Sequence, residues 1–158
     1  LDVTWVNHSY SHPYEKGAPL ENNFLLKKGP GIDFDNEVMA NEKLMIQSGI
    51  LPSPFFRFPG LVADAETMKK LSALSLIPVG SNAWLAKGET PAQGNIILVH
   101  GNGNEPNGIK RLLKFLNAKK TAFKNHTLTL NSLKNAFAAG SPVLPSPVKG
   151  EKIRKVTP

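Results

Sequence analysis

The sequence predicts an α/β fold with mostly parallel strands, on three observations. Strand-like and helix-like segments alternate along the chain, the arrangement that buries a parallel sheet under helices. Residues 95–99, NIILV, form an uninterrupted apolar run, the pattern of a strand covered on both faces. Polar residues with chemistry to offer fall just past the ends of the expected strands, where α/β folds gather their sites.

A chain of 158 residues has room for one domain with a real core. Its apolar fraction of 41% and charged fraction of 20% fit a globular protein. No apolar run approaches the roughly 18 to 20 residues that span a bilayer, so no membrane span is expected. The chain starts at Leu1 and shows no signal peptide, and is expected to be a processed, trimmed or partial product. The absence of cysteine excludes disulfides, thiolate ligands and a Cys nucleophile. A net charge of +7 favours anionic partners. Nucleic acid is disfavoured among them, because no basic stripe with interleaved aromatics is present.

The elements follow in order. Residues 2–7, DVTWVN, are β-branched and aromatic in character and read as a strand running into His8 and His12. A long connection, Pro13 to Gly31, is rich in Gly, Pro and Asn, and loops of that length are usually functional or mobile. A helix is expected from Asp35 to Gln47, with Phe34, Val38 and Met45 on one face and Gly49 as its stop. Residues 54–58, PFFRF, read as a buried strand that ends at Pro59-Gly60. Asp64 caps a second helix carrying Met68, Leu71 and Leu74.

Ile77 to Val79 is a short strand leading to SNAW, and the 95–99 strand ends at His100. The clearest helix runs from Asn107 to Asn117, with Ile109, Leu112, Leu113 and Leu116 at i, i+3, i+4 and i+7. Residues 126–130, HTLTL, alternate like a strand, and SLKNAF follows as a short helix. Residues 140–158 are rich in Pro, Ser and Lys and read as a flexible basic tail, beyond a domain over 1–139.

Each constellation with chemistry to offer also has a plainer alternative. His8 and His12, at i and i+4, can turn both rings toward one divalent metal, or be a surface pair near a frayed end. Arg57, among three phenylalanines, calls for a carboxylate partner, structural or functional. His100 suits a general acid or a metal ligand, or a strand-end histidine bonded to backbone. Trp84 is core, a sugar-stacking platform or a wall of the site. The loop GNGNEPNG has a phosphate-cradling look without the Lys-Ser/Thr of a P-loop, and His126 reads as structural.

Four blocks, taken in order, resemble the polysaccharide deacetylase family, the metal-dependent deacetylases of carbohydrate esterase family four. NHSYSH, followed by Pro13, resembles the H-[ST]-x-x-H metal motif. FFRFPG resembles R-x-P-[YG], which shapes one wall of the groove, and VGSNAW resembles the block ending in Trp on the opposite wall. NIILVH resembles the final strand motif I-[IV]-L-x-H. The similarity covers about residues 2 to 135, including NGIKRLLKFLNAKK and HTLTLNSL as the closing helix and strand.

The resemblance implies a partial or distorted (β/α) barrel that removes acetyl groups from N-acetylated polysaccharide, peptidoglycan or chitin-like. His8 and His12 would hold a divalent metal, usually zinc. Arg57 would orient the catalytic aspartate, and His100 would act as general acid toward the departing amine. Trp84 and Leu98 would line the acetyl pocket, with Phe58 and Pro59 from the R-x-P block also on the substrate side. The localisation implied is secreted, periplasmic or cell-envelope.

The family's Asp-Asp motif, which supplies the base and the third metal ligand upstream of the histidines, has no counterpart here. Asp2 is too near His8, on the same strand, and Asp33 and Asp35 fit no family motif. Asn82 stands where an acidic residue is common. The expectation is therefore the C-terminal portion of a larger deacetylase whose N-terminal part is cleaved, lost or forms a separate segment or chain that completes the barrel. The alternative is a non-catalytic carbohydrate-binding relative.

Overall fold

Two short parallel pairings organise the chain, each in its own compact unit. The computed structural model describes residues 3–26 and 32–138; the expected tail, Asp2 and part of the long connection lie outside them. One unit comprises Val3–Gly80 and the other the described residues from Ser81 onward.

In the first unit, helix α1 spans Phe34–Gln47. Asp33 caps it by accepting from the N–H groups of Asp35 and Asn36 at 3.0 and 3.4 Å, relieving two of the donors a helix start leaves unpaired. Gly49, at φ 74°, takes the left-handed conformation that closes the helix. Strands β1, Phe55–Phe56, and β2, Ile77–Pro78, pair in parallel across helix α2, Ala65–Ala73. Asp64 and Thr67 form a reciprocal capping box at the start of α2. Thr67 is therefore satisfied locally and turns inward with Leu71. Met68, expected on the core face, is 41% exposed.

Leu25, Phe34, Val38, Phe56, Phe58 and Leu71 form the core of this unit. The rings of Phe56 and Phe58 meet edge-to-face at 5.1 Å. Each buried ring contributes roughly 1.5–3 kcal/mol by leaving water. The strand expected over 2–7 shrinks to a single parallel bridge. Asn7 N–H donates to the Phe55 carbonyl at 3.2 Å, and Arg57 N–H to the Asn7 carbonyl at 2.8 Å. The long connection carries two 3₁₀ turns, Leu20–Asn22 and Phe24–Leu26, and buries Leu25 and Leu26. Asn23 pins it by bonding the Glu15 backbone in both directions, at 2.8 and 2.7 Å.

In the second unit, β3, Ala83–Trp84, pairs in parallel with β4, Ile97–Leu98. Helix α3 spans Pro106–Ala118, followed by α4, Lys120–Lys124, and α5, Leu133–Ala138. Gly108 is the buried residue of α3, lying against Ala86 and Val99. The expected stripe is less covered than its spacing suggests, with Ile109 37% and Leu113 55% exposed. Among the described residues β4 has β3 as its one strand neighbour, so only Leu98 of NIILV is buried. Residues 126–130 are not a strand. The N–H groups of Thr127 and Leu128 both donate to the Ala122 carbonyl, and His126 turns through φ 53°, so the segment closes α4.

The expected mixed α/β class with parallel strands is met, while among the described residues no closed barrel forms. No described helix is long and apolar enough to cross a membrane.

Candidate metal and catalytic residues

The residues expected to carry chemistry fall on both units. His8, His12, Arg57, Phe58 and Pro59 lie in Val3–Gly80, and Trp84, Leu98 and His100 in the other.

The segment NHSYSH is a built loop rather than a frayed end. Asn7 is fully buried, and its carboxamide makes four hydrogen bonds. Nδ2 donates to the Val38 carbonyl (3.0 Å) and to Glu42 Oε1 (3.3 Å), while Oδ1 accepts from Ser9 N–H (3.1 Å) and Asn41 Nδ2 (2.8 Å). Ser9 and His12 both take positive φ, 63° and 48°, conformations that persist only where the surroundings hold them. Ser9 Oγ accepts from His12 N–H at 3.2 Å. Glu37, buried on α1, accepts from the N–H groups of Tyr10 and Ser11 and from the Ser11 hydroxyl.

The two imidazoles lie 4.9 Å apart between centroids, at 73°. His8 Nδ1 is 2.7 Å from the Arg57 carbonyl oxygen. A carbonyl can only accept, so Nδ1 carries the proton and the lone pair of neutral His8 sits on Nε2. A backbone partner that fixes the tautomer in this way is the usual support of a metal-binding histidine. The His12 ring stands edge-to-face on Phe24 at 5.8 Å, and Phe24 in turn stacks on Tyr14 at 5.3 Å. Gly60 explains the glycine of FFRFPG. A Cβ there would sit 2.5 Å from the Phe24 ring, so only glycine lets Phe24 reach His12.

Two neutral imidazoles suit the nitrogen preference of zinc. Among the described residues no group of three or more His, Asp or Glu side chains is placed to hold a metal ion. Arg57 is half-buried, and burial pushes its pKa down. Nη1 donates to the Gly80 carbonyl at 3.3 Å. The expected carboxylate partner of Arg57 is not found among the described residues, where a backbone oxygen takes its place. Phe58 and Pro59 are buried, Phe58 within the core cluster.

In the second unit His100 has the carboxylate partner that the sequence did not supply at position 82. Glu105 Oε2 lies 2.6 Å from His100 Nδ1 and accepts from Trp84 Nε1–H at 2.8 Å. The Trp84 hydrogen bond is the main reason the Glu105 carboxyl sits below its ordinary pKa, with the hydrogen bond and charge of His100 and the charge of Lys87 acting in the same direction. Lys87 Nζ stands 3.6 Å over the Trp84 ring, within cation–π range. Asn82 is occupied otherwise. Its Oδ1 accepts from Ile96 N–H at 2.7 Å, and its own N–H donates to the Ile96 carbonyl, extending the β3–β4 pairing. Leu98 is buried and is the register partner of Trp84 in the β3–β4 pairing, and Trp84 itself is half-buried.

Glu37 and Glu105 are the residues that the sequence reading passed over. Glu37 had a signal, an acidic residue beside Val38 on the apolar face of α1. Glu105 was masked by the glycine- and asparagine-rich loop around it.

No family model matches the chain. Among solved structures it is similar to a family 4 carbohydrate esterase from Streptomyces lividans in complex with acetate. The identity is 19% and the TM-score 0.47, over 72% of this chain and 60% of that one.

Proposed function

We propose that the protein containing this chain is a metal-dependent deacetylase. It hydrolyses the carbon–nitrogen amide bond of N-acetylated sugars in a polysaccharide such as peptidoglycan or a chitin-like chain. The observation that carries the reading is the His8–His12 pair, two adjacent imidazoles on a loop held by buried Asn7 and Glu37, with the His8 tautomer set by the Arg57 carbonyl.

His8 and His12 would hold a divalent metal, with zinc the ion their nitrogen donors suit. Such an ion supplies Lewis-acid polarisation of the acetyl carbonyl and lowers the pKa of water. His8 presents Nε2, because its Nδ1–H is committed to the Arg57 carbonyl. The guanidinium of Arg57 orients the carboxylate that takes the proton from water. That carboxylate and the third ligand come from outside the described residues, from a further segment or chain. His100 gives a proton to the departing nitrogen, and Trp84 and Leu98 bound the acetyl methyl. A polymer of this kind places the protein in the cell envelope, in the periplasm or outside the cell.

The test is acetate release from peptidoglycan or a chitin oligomer by the protein containing this chain. A chelator should abolish release, added zinc should restore it, and His8→Ala should remove it. Undiminished release by His12→Ala overturns the metal assignment. Glycan binding that survives chelation, with no acetate formed, replaces the enzyme by a carbohydrate-binding protein.

A further inference from the structure

We propose that Glu105 is the positioning residue of His100, fixing its ring so that Nε2 is the nitrogen that hands over the proton. The inference rests on the reading of His100 as general acid, and deepens it.

Three elements bring the group together. His100 leaves the end of β4, Trp84 ends β3, and Glu105 stands immediately before α3. Glu105 occupies the N-cap position of α3, yet its side chain makes no capping hydrogen bond. Glutamate is not among the short side chains that usually cap a helix start. Here its carboxylate turns to His100 and Trp84 through one oxygen, Oε2. Pro106, the first helical residue, has no N–H and so leaves one donor fewer to satisfy.

The chemistry follows from the acceptor. An ionised carboxylate can only accept, so the proton between His100 and Glu105 belongs to Nδ1 in both the neutral and the cationic imidazole. The proton that comes and goes is then the one on Nε2. In the acid step this proton moves to the leaving nitrogen as the carbon–nitrogen bond breaks and its electron pair passes to nitrogen. The oxygen of water has meanwhile bonded to the acyl carbon, so the products are acetate and the free amine. His100 is left neutral with Nδ1–H still on Glu105, and Nε2 regains a proton from solvent.

Trp84 makes the arrangement directional. Its Nε1–H occupies Oε2 from a second side, and Lys87 lies over its ring, so the carboxylate is held while the imidazole stays partly exposed. Glu89 supports the same residue by accepting from the Trp84 backbone N–H.

The experiment compares the full protein with Glu105→Ala and Glu105→Gln. Nitrogen NMR of neutral His100 should find Nδ1 protonated in the native protein. It should find the Nε2-protonated tautomer populated in Glu105→Ala, and the Trp84 indole N–H resonance should move upfield in the same variant. Acetate release should fall roughly tenfold to a thousandfold in kcat, with KM within about twofold. Glu105→Gln, closer in shape, should fold as the native protein does and lose kcat in the same direction. An unchanged tautomer together with native kcat in both variants overturns the proposal and leaves the deacetylase reading standing. A tautomer change in a protein that releases no acetate in any form supports the positioning and removes the deacetylase reading instead.

Discussion

Glu37 holds Ser11 twice, Oε2 accepting from its N–H at 2.9 Å and Oε1 from its hydroxyl at 2.7 Å. One buried carboxylate on α1 thereby fixes the backbone between His8 and His12. Glu37→Ala should cost about 1–3 kcal/mol, since the Ser11 N–H and hydroxyl lose their acceptor while Tyr10 N–H keeps the Glu37 backbone carbonyl at 2.9 Å. Denaturant unfolding measures this. Zinc affinity by calorimetry should weaken as well, because the two rings are no longer held side by side.

Gly60 and Phe24 should behave as one unit. Gly60→Ala forces a Cβ against the ring at 2.5 Å and does so at φ 62°, where an L side chain is strained. A loss of roughly 1–3 kcal/mol is expected from the overpacking. In Phe24→Ala the clash is gone, so the double variant should be more stable than the sum of the two single changes requires. Strict additivity in thermal unfolding would show that the two do not touch.

The Glu105 carboxyl gives a pH dependence of known sign. Its pKa is lowered, first by the Trp84 hydrogen bond, with His100 next among the favourable causes and burial opposing. A lowered carboxyl pKa contributes stability that is fully present above the unfolded-state value, about 4.3. That contribution is lost as the pH falls through the folded value. The stability difference between the native protein and Glu105→Gln should therefore shrink as the pH falls below about 4.3. A difference that grows over that acid range would contradict the hydrogen-bond assignment.

Arg57 separates function from folding. Its guanidinium reaches a backbone carbonyl at 3.3 Å, with no carboxylate pair among the described residues to lose. Arg57→Lys should shift stability by less than about 1 kcal/mol, the range of half-exposed polar changes. Acetate release should fall about a hundredfold, since lysine lacks the planar fork that orients a carboxylate. Equal losses in both measurements would make Arg57 structural.

The helices of this chain are legible because their signals are local. Asp33 and Asp64 stand where caps belong, Gly49 stops α1, and the 3.6-residue period marks α1 and α3. The strands are not, because each is two residues long and defined by a partner far along the sequence. HTLTL alternates as a strand does, but its N–H groups go to Ala122 and no partner is involved. The histidine pair is visible in its i, i+4 spacing, whereas the residues holding its loop, Asn41, Glu42 and Glu37, lie 34, 35 and 26 residues from their partners in sequence. The block before Trp84 has Asn82 where an acidic partner of His100 is expected. The partner lies five residues beyond the histidine, in a loop whose composition advertised something else.

The anchoring of NHSYSH to α1 also sets a clock. The amide hydrogens of Tyr10 and Ser11 are covered by Glu37, and Asn7 is tied to Val38 and Asn41 on the same helix. Deuterium can replace those hydrogens only when the bonds to the helix open, so their exchange should keep pace with the centre of α1. A loop with two positive-φ residues would thus be among the slowest-exchanging parts of its unit, and an incoming ligand would meet the histidines already in place.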